Sequence, residues 1–209
     1  ISDFEILVVN DNSKDGTESV LQGLASEFSS VRYVNNTPPN GIGFAVRKGL
    51  DCFRGDAVAV VMADLSDSPD DIVTYYRKFK DGAECVFGSR FIKGGKVINY
   101  PRAKFLPNRM ANAFIKTLFH LKHNDITNAF KGYRREVIDG IRPILSHHFN
   151  ITVELPLKAI VRGYKFETVP ISWTGRTVGK SNLKLKEMGS RYLFIVLYCL
   201  LEKKLSKGD

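Results

Sequence analysis

Apolar and polar positions alternate in blocks along the first half of the chain, and each block has the period of one element. Glu5–Asn10 (EILVVN) is a β-rich run, and Gly16–Phe28 sets Val20, Leu21, Leu24 and Phe28 at helical spacing. Val31–Val34 predicts a short strand, and Ile42–Phe53 a second helix. Ala57–Met62 (AVAVVM) is apolar throughout, as in a strand buried on both faces. Asp70–Phe79 after Pro69 predicts a third helix, and Cys85–Gly88 a fourth strand. This order predicts an α/β fold with a mainly parallel, doubly wound sheet flanked by helices. Ligands bind such sheets outside the carboxyl ends of the strands. Those ends carry Asn10–Asp11, Asp64–Asp67 and Ser89–Arg90.

The second half is less regular. It predicts a helix over Pro107–Leu121, a turn and short strand over Ile126–Tyr133, and a helix over Ile151–Arg162. A strand over Phe166–Trp173, a glycine-containing loop over Gly175–Ser181 and a long helix over Leu185–Leu205 follow. No linker divides the chain, so residues 1–209 read as a single domain. The apolar run Tyr192–Leu201 has half the roughly 20 residues needed to span a bilayer. The helix that holds it, bounded by Arg191 and by Lys203 and Lys204, is either a core helix or one that meets a partner or a membrane surface, there through Phe194 and Leu197 with its lysines on anionic headgroups.

Composition narrows the classes. An apolar content of 44% supports a packed core rather than disorder. The net charge of +9 suits phosphorylated ligands or anionic lipid, and no RNA-recognition signature accompanies it, so nucleic acid is not an expected partner. Cys52, Cys85 and Cys199 are far apart and form no C-x-x-C pair, which reads as buried thiols in a reducing, cytoplasmic setting. His120, His123, His147 and His148 show no metal-ligand spacing. The chain opens at Ile1 directly before a strand, and the expectation is that it starts inside a longer protein.

Several polar segments carry chemistry. In VVNDNSKDGT (Val8–Thr17) a buried strand ends in short polar side chains, and Asp11 can accept from a base N–H or a ribose hydroxyl. MADLSDSPDD (Met62–Asp71) places carboxylates at a strand end, which suits a hard divalent cation holding a diphosphate. Asp70 and Asp71 read simply as acidic residues at a helix N-terminus. Arg90 in GSRFIKGG (Gly88–Gly95) is a fork for phosphate, and Arg102, Lys104 and Arg109 follow it. Gly179-Lys180-Ser181 is not a phosphate-binding P-loop, because Thr174 stands where the first glycine is required.

In order along the chain, these segments resemble glycosyltransferase family 2, in the branch that includes dolichol-phosphate mannose synthases. VVNDNSKDGT resembles the block VVDDGSxDGT, with Asn10 for the first Asp, and GIGFAVRKG (Gly41–Gly49) resembles GxGxAxxxG. MADLS resembles DADLQ, with Met62 for the first Asp and Ser66 for Gln. DITNAFKGYRREV (Asp125–Val137) is the longest match. VPISWTGRTVGKSNL (Val169–Leu183) is similar to the family's closing loop, with Asn182 in place of Lys.

The resemblance implies a GT-A fold and inverting transfer from a nucleoside diphosphate sugar, GDP-mannose or a UDP-sugar, to a polyprenyl or dolichyl phosphate. It implies Mg²⁺ or Mn²⁺ held by Asp64 with Asp67, and Asp64, Arg90 and Arg176 as the chemical residues. It implies substrate contacts at Val9, Asp11, Ala63, Asp64, Arg90, Arg176 and Lys180, and a cytoplasmic location with peripheral membrane contact. The family's opening strand and nucleotide-holding loop are expected before Ile1. An acceptor phosphate is already ionised near neutral pH and needs no strong base. A sugar-hydroxyl acceptor would use one, with Glu154 or Asp125 as candidates. The replacements at Met62 and Asn182 also leave open a nucleotide-sugar-binding protein without turnover.

Overall fold

The computed structural model describes residues 3–176 and 185–205, and the helix side chains from 189 onward. The order is β1 (Ile6–Asn10), α1 (Thr17–Glu27), β2 (Val31–Asn35), α2 (Ile42–Cys52), β3 (Ala57–Val60), α3 (Pro69–Lys80), β4 (Cys85–Ser89) and β5 (Lys96–Ile98). Then follow α4 (Arg102–Phe119), β6 (Lys131–Arg134), α5 (Arg135–Gly140), α6 (Ile151–Val161), β7 (Phe166–Pro170), β8 (Ser172–Thr174) and α7 (Leu185–Leu205). The α/β alternation of the first half follows the apolar periodicity. β5 and α5 were not legible in it, being a three-residue strand and a six-residue helix with few positions from which to read a period. The helix expected from Pro107 starts five residues earlier, after Pro101, with Pro107 inside it.

β1 and β2 pair in parallel. A four-stranded sheet has the order β3-β6-β4-β7. In it β4 and β7 run parallel, and β6 lies antiparallel to both β3 and β4. β5 and β8 form a third, parallel pair. Three of these five pairings are thus parallel, while within the four-stranded sheet β6 makes two of the three antiparallel, so that sheet is mixed. The run expected as one strand over Phe166–Trp173 divides at Ile171 into β7 and β8, which serve different sheets.

β4 shows how the layers form. Successive strand residues face opposite sides of a sheet. Cys85 and Phe87 enter the cluster built with Leu50 of α2, Val137 and Ile138 of α5 and Leu155 of α6. Val86, between them, enters the cluster with Tyr75 of α3, Val169 and Ile171. Helices therefore cover both faces. Gly88 lies on the Tyr75 side, where an added Cβ would stand 2.4 Å from the phenol oxygen, so only glycine fits. The Tyr75 hydroxyl donates to the Phe130 carbonyl at 2.7 Å.

A further cluster joins α4 (Ile115, Phe119), α6 (Val153, Leu157) and α7 (Ile195, Val196, Cys199). α7 is thus a core helix along one face. Ile195, Val196 and Cys199 are core, while Leu193, Phe194, Leu197 and Leu201 are exposed. Among the described residues no helix is long and apolar enough to cross a membrane.

His123 is buried after α4, edge-on to Phe87 with ring centroids 5.7 Å apart. Its Nδ1 lies 3.1 Å from Thr168 Oγ1. Burial, aided by the nearby Lys131 charge, lowers its pKa from 6.5 to about 4. The unfolded chain takes this proton near pH 6.5 and the folded chain only near 4, so the stability tied to the neutral ring is complete above 6.5 and lost as pH falls toward 4. Thermal midpoints should fall between pH 6.5 and 4.5, and His123→Leu should flatten that part of the curve. An unchanged slope in that variant would show that His123 is not the group responsible.

Candidate active site

The loop after β3 is built from short polar residues and one strained position. Leu65 has φ +58°, an uncommon conformation for a branched apolar residue, and its side chain is 90% exposed. The turn brings the Ser66 N–H and hydroxyl onto Asp64 Oδ1, at 3.1 and 2.5 Å. Beyond it the loop zips against β8. Asp67 forms an antiparallel bridge with Trp173, Thr174 N donates to Ser66 O at 2.8 Å, and Ser68 N donates to Ser172 O at 3.3 Å. Three residues further along each chain, the same register sets Arg176 opposite Asp64. Arg176 Nη2 lies 2.5 Å from Asp64 Oδ2. Two residues 112 positions apart in sequence thus meet because a backbone ladder aligns them. Asp71 has a part beyond its place at the start of α3, since its Oδ2 accepts from Ser172 N at 2.7 Å.

Asp67 lies beneath this pair. It is 7% exposed, and its Oδ1 has no hydrogen-bond partner. Burial raises its pKa to about 6; the Met62 N–H bond opposes the rise, Asp64 adds to it, and Arg90 and Lys131 oppose it. A buried carboxylate oxygen without a donor, beside a second carboxylate, fits a hard divalent cation with oxygen ligands. Asp64 and Asp67 are the side chains that would hold it. Among the described residues no group of three or more His, Cys, Asp or Glu gathers as a ready metal cage. The remaining ligands would therefore come from diphosphate oxygens or water.

Arg90 differs from the exposed phosphate clamp expected of it. It is buried, and its Nε and Nη2 donate to the two oxygens of Asp125 at 2.8 and 2.7 Å. Its own backbone N–H donates to Asp125 Oδ2 at 3.0 Å. Burial opposes the guanidinium charge, but the Asp125 carboxylate more than offsets this and raises the pKa. The guanidinium lies 5.2 Å from the Phe91 ring centre, 5.6 Å from Tyr100 and 5.7 Å from Trp173. Arg90 therefore holds the floor of the site and the tryptophan that pairs with Asp67.

Lys131 completes this floor, although a lysine in a strand gives no sequence signal of burial. It is fully buried, with Nζ donating to the Ile126 and Asn128 carbonyls. Burial lowers its pKa to about 7, while Asp125 acts against the shift.

The other expected residues fall as follows. Asp11, after β1, accepts from Asn36 Nδ2 and Gly41 N, both at 2.8 Å, and so ties β1 to the start of α2. Gly41 has φ +136°, and a Cβ on Gly43 would meet the His147 backbone at 2.2 Å, which accounts for the two glycines there. Val9 is half-buried, 3.3 Å from where a Cβ on Gly49 of α2 would stand, and Ala63 is exposed. Lys180 and Asn182 lie outside the described residues. Asp125 and Glu154, the candidate bases, are both fully buried. Asp125 is held by Arg90, and Glu154 accepts from Leu145 N, Ser146 N and Lys158 Nζ at 2.7, 2.6 and 2.9 Å.

The fold is that of the GT-A glycosyltransferases. A glucosyl-3-phosphoglycerate synthase from Mycobacterium tuberculosis, solved with Mn²⁺, uridine diphosphate and phosphoglyceric acid, aligns with TM-score 0.66 and 16% identity over 94% of this chain and 67% of that one. The same enzyme with uridine diphosphate aligns at TM-score 0.64 and 18% identity, over 93% and 68%. The model described as Glycosyl transferase family 2 matches residues 1–142, and the chain belongs to this family. It is 33% identical to a polyprenol monophosphomannose synthase of Mycolicibacterium smegmatis over 85% of this chain and 69% of the relative. It is 33% identical to a dolichol-phosphate mannosyltransferase of Pyrococcus furiosus over 88% of this chain and about half, 51%, of the relative. It is 29% identical to an undecaprenyl-phosphate mannosyltransferase of Micrococcus luteus over 88% and 77%.

Two substitutions test the structural roles. Glu154→Gln removes the carboxylate that answers buried Lys158, leaving it the Pro143 carbonyl and the face of Tyr198, and should destabilise the fold by about 3–5 kcal/mol. A stable but inactive Glu154→Gln protein would instead indicate a catalytic base. Arg90→Lys keeps the charge but loses the two-pronged bond to Asp125, and should lower the denaturation midpoint while weakening donor binding only as far as the fold loosens.

Proposed function

We propose that the chain transfers a sugar, with inversion, from a nucleoside diphosphate sugar to a polyprenyl phosphate. GDP-mannose or a UDP-sugar is the donor. The observation that carries the reading is the Asp64–Arg176 pair at the mouth of the loop after β3. It sets a cation ligand and a diphosphate ligand side by side. Arg176, about a third exposed at its side chain, is placed to turn from Asp64 to donor phosphate oxygens. A divalent cation held by Asp64 and Asp67, Mg²⁺ or Mn²⁺, would neutralise charge on the leaving diphosphate. Arg90 and Lys131 keep Asp67 and Trp173 in register beneath it.

The acceptor follows from what the carboxylates can do. Asp125 and Glu154 are buried and saturated, so neither is available to deprotonate a sugar hydroxyl. A phosphate acceptor arrives ionised and removes the need. The names of the mannosyltransferase relatives support the same acceptor class. A polyprenyl chain stays in the bilayer, which calls for a peripheral position at the cytoplasmic membrane face.

Mn²⁺ binding read by electron paramagnetic resonance, with and without GDP-mannose or UDP-glucose, tests the site apart from turnover. Asp64→Asn should abolish donor-dependent Mn²⁺ binding, and Arg176→Ala should weaken donor binding roughly ten- to hundredfold. Undiminished Mn²⁺ binding by Asp64→Asn would overturn the metal assignment. Radiolabelled transfer to detergent-dispersed polyprenyl phosphate tests the acceptor. Transfer to a free sugar but not to the lipid phosphate would overturn it, and donor binding without any transfer would mark a binding protein.

A further inference from the structure

α4 presents an unusual surface. Leu106, Met110 and Phe114 follow one another at four-residue intervals and are 64%, 64% and 51% exposed. At about 100° per residue, Ala103 and Pro107 fall on the same stripe, and both are exposed. The stripe carries no charge along this length. The opposite side of the helix buries Asn112, Ile115 and Phe119 in the protein, so the exposed face is not spare core. The charged residues on the rest of the helix are all cations: Arg102 and Lys116 are exposed, and Lys104 and Arg109 are half-buried. Between Phe91 and Asn124 the sequence has seven Lys and Arg and no Asp or Glu, although the chain has 22 acidic residues in all.

An apolar stripe on a helix whose charges are all cations fits one kind of partner, the headgroup region of an anionic bilayer. A nucleic acid would answer the charge but not the stripe, and an ordinary protein surface would answer the stripe but not the one-sided charge.

Another face of the same helix leads to the site. Phe105 contacts the rings of Tyr100 and Phe91, with centroids 5.8 and 6.0 Å away. Tyr100 contacts Trp173 at 5.1 Å, and Trp173 is the bridge partner of Asp67. The N-terminal half of α4 is thus one aromatic layer from the loop that holds Asp64. α7 has its own exposed apolar residues, Phe194, Leu197, Leu201 and Leu205, but its C-terminal half packs on the end of α4, where Lys203 Nζ donates to the Phe119 carbonyl at 3.0 Å.

We propose that α4 is the element that docks on an anionic membrane, lying in the interface with Leu106, Met110 and Phe114 among the acyl chains. The proposal locates the bilayer for the lipid-phosphate reading above and takes its purpose from that reading.

Vesicle flotation of the full chain, with 1:1 phosphatidylglycerol and phosphatidylcholine against phosphatidylcholine alone, tests it. Binding should need the anionic lipid and weaken with salt. The exposed pair Met110→Asp and Phe114→Asp should reduce partitioning roughly tenfold or more. Arg102→Glu with Lys116→Glu should reduce it severalfold on anionic vesicles, and Phe194→Ser with Leu197→Ser should reduce it less than the α4 apolar pair. Circular dichroism melts and retained Mn²⁺–donor binding certify that each variant folds. Lack of binding to anionic vesicles at low salt, wild-type binding by the α4 variants, or loss confined to the α7 variant would each overturn the proposal. So would a dimer in light scattering that the α4 apolar substitutions dissolve. Transfer to detergent-dispersed polyprenyl phosphate needs no vesicle, so its absence counts against the acceptor while vesicle binding through α4 stands.

Discussion

The bidentate contact between Arg90 and Asp125 is the joint on which the site rests. It fastens the end of β4 to the segment that leads into β6, and it does so where no water can take over either charge. Removing one member of such a pair leaves a buried charge uncompensated, which is far more damaging than losing a surface pair. The guanidinium also faces three aromatic rings, among them Trp173, so the same side chain sets the height of β8. From β8 the order passes along backbone hydrogen bonds to the loop after β3. A buried ion pair, an indole and a short antiparallel ladder thus bring Asp64 and Arg176 together.

The fold was legible where the period was long and unbroken. EILVVN, AVAVVM and the helices between them read directly from apolar spacing, but β3 ends at Val60 and is half-buried at the edge of its sheet rather than covered on both faces, with Val61 exposed beyond it; it is β4 that is buried on both faces. β6 was seen as a strand, but nothing in its four residues reveals that it runs antiparallel between β3 and β4. Orientation depends on the connection through α4 and on long-range pairing, which a local pattern does not encode. The division of Phe166–Trp173 was hidden for a related reason, because the residues on either side of Ile171 are equally strand-like.

The site was legible as residue types and less so as roles. Asp64, Asp67 and Arg176 were singled out, and they do gather at one loop. Arg90 was expected to reach outward, since an arginine at a strand end is ordinarily exposed. Its burial follows from Asp125, 35 positions away, which supplies the countercharge. Lys131 was passed over because a lysine in a strand reads as a solvated residue, and only the fold shows that its ammonium ends among carbonyls beneath two carboxylates. Asp11 likewise spends both oxygens on fixing the approach to α2.

The contact between Asp64 and Arg176 has a bearing on selectivity. At rest the mouth of the site is electrically quiet, since each charge answers the other. A bare anion must compete with a carboxylate for the guanidinium, and a bare cation must compete with a guanidinium for the carboxylate. A chelate that brings positive and negative charge together satisfies both sides at once, exchanging one internal pair for two external ones. On the proposed assignment such a site would act as a coincidence detector, giving little purchase to inorganic phosphate or a lone metal ion.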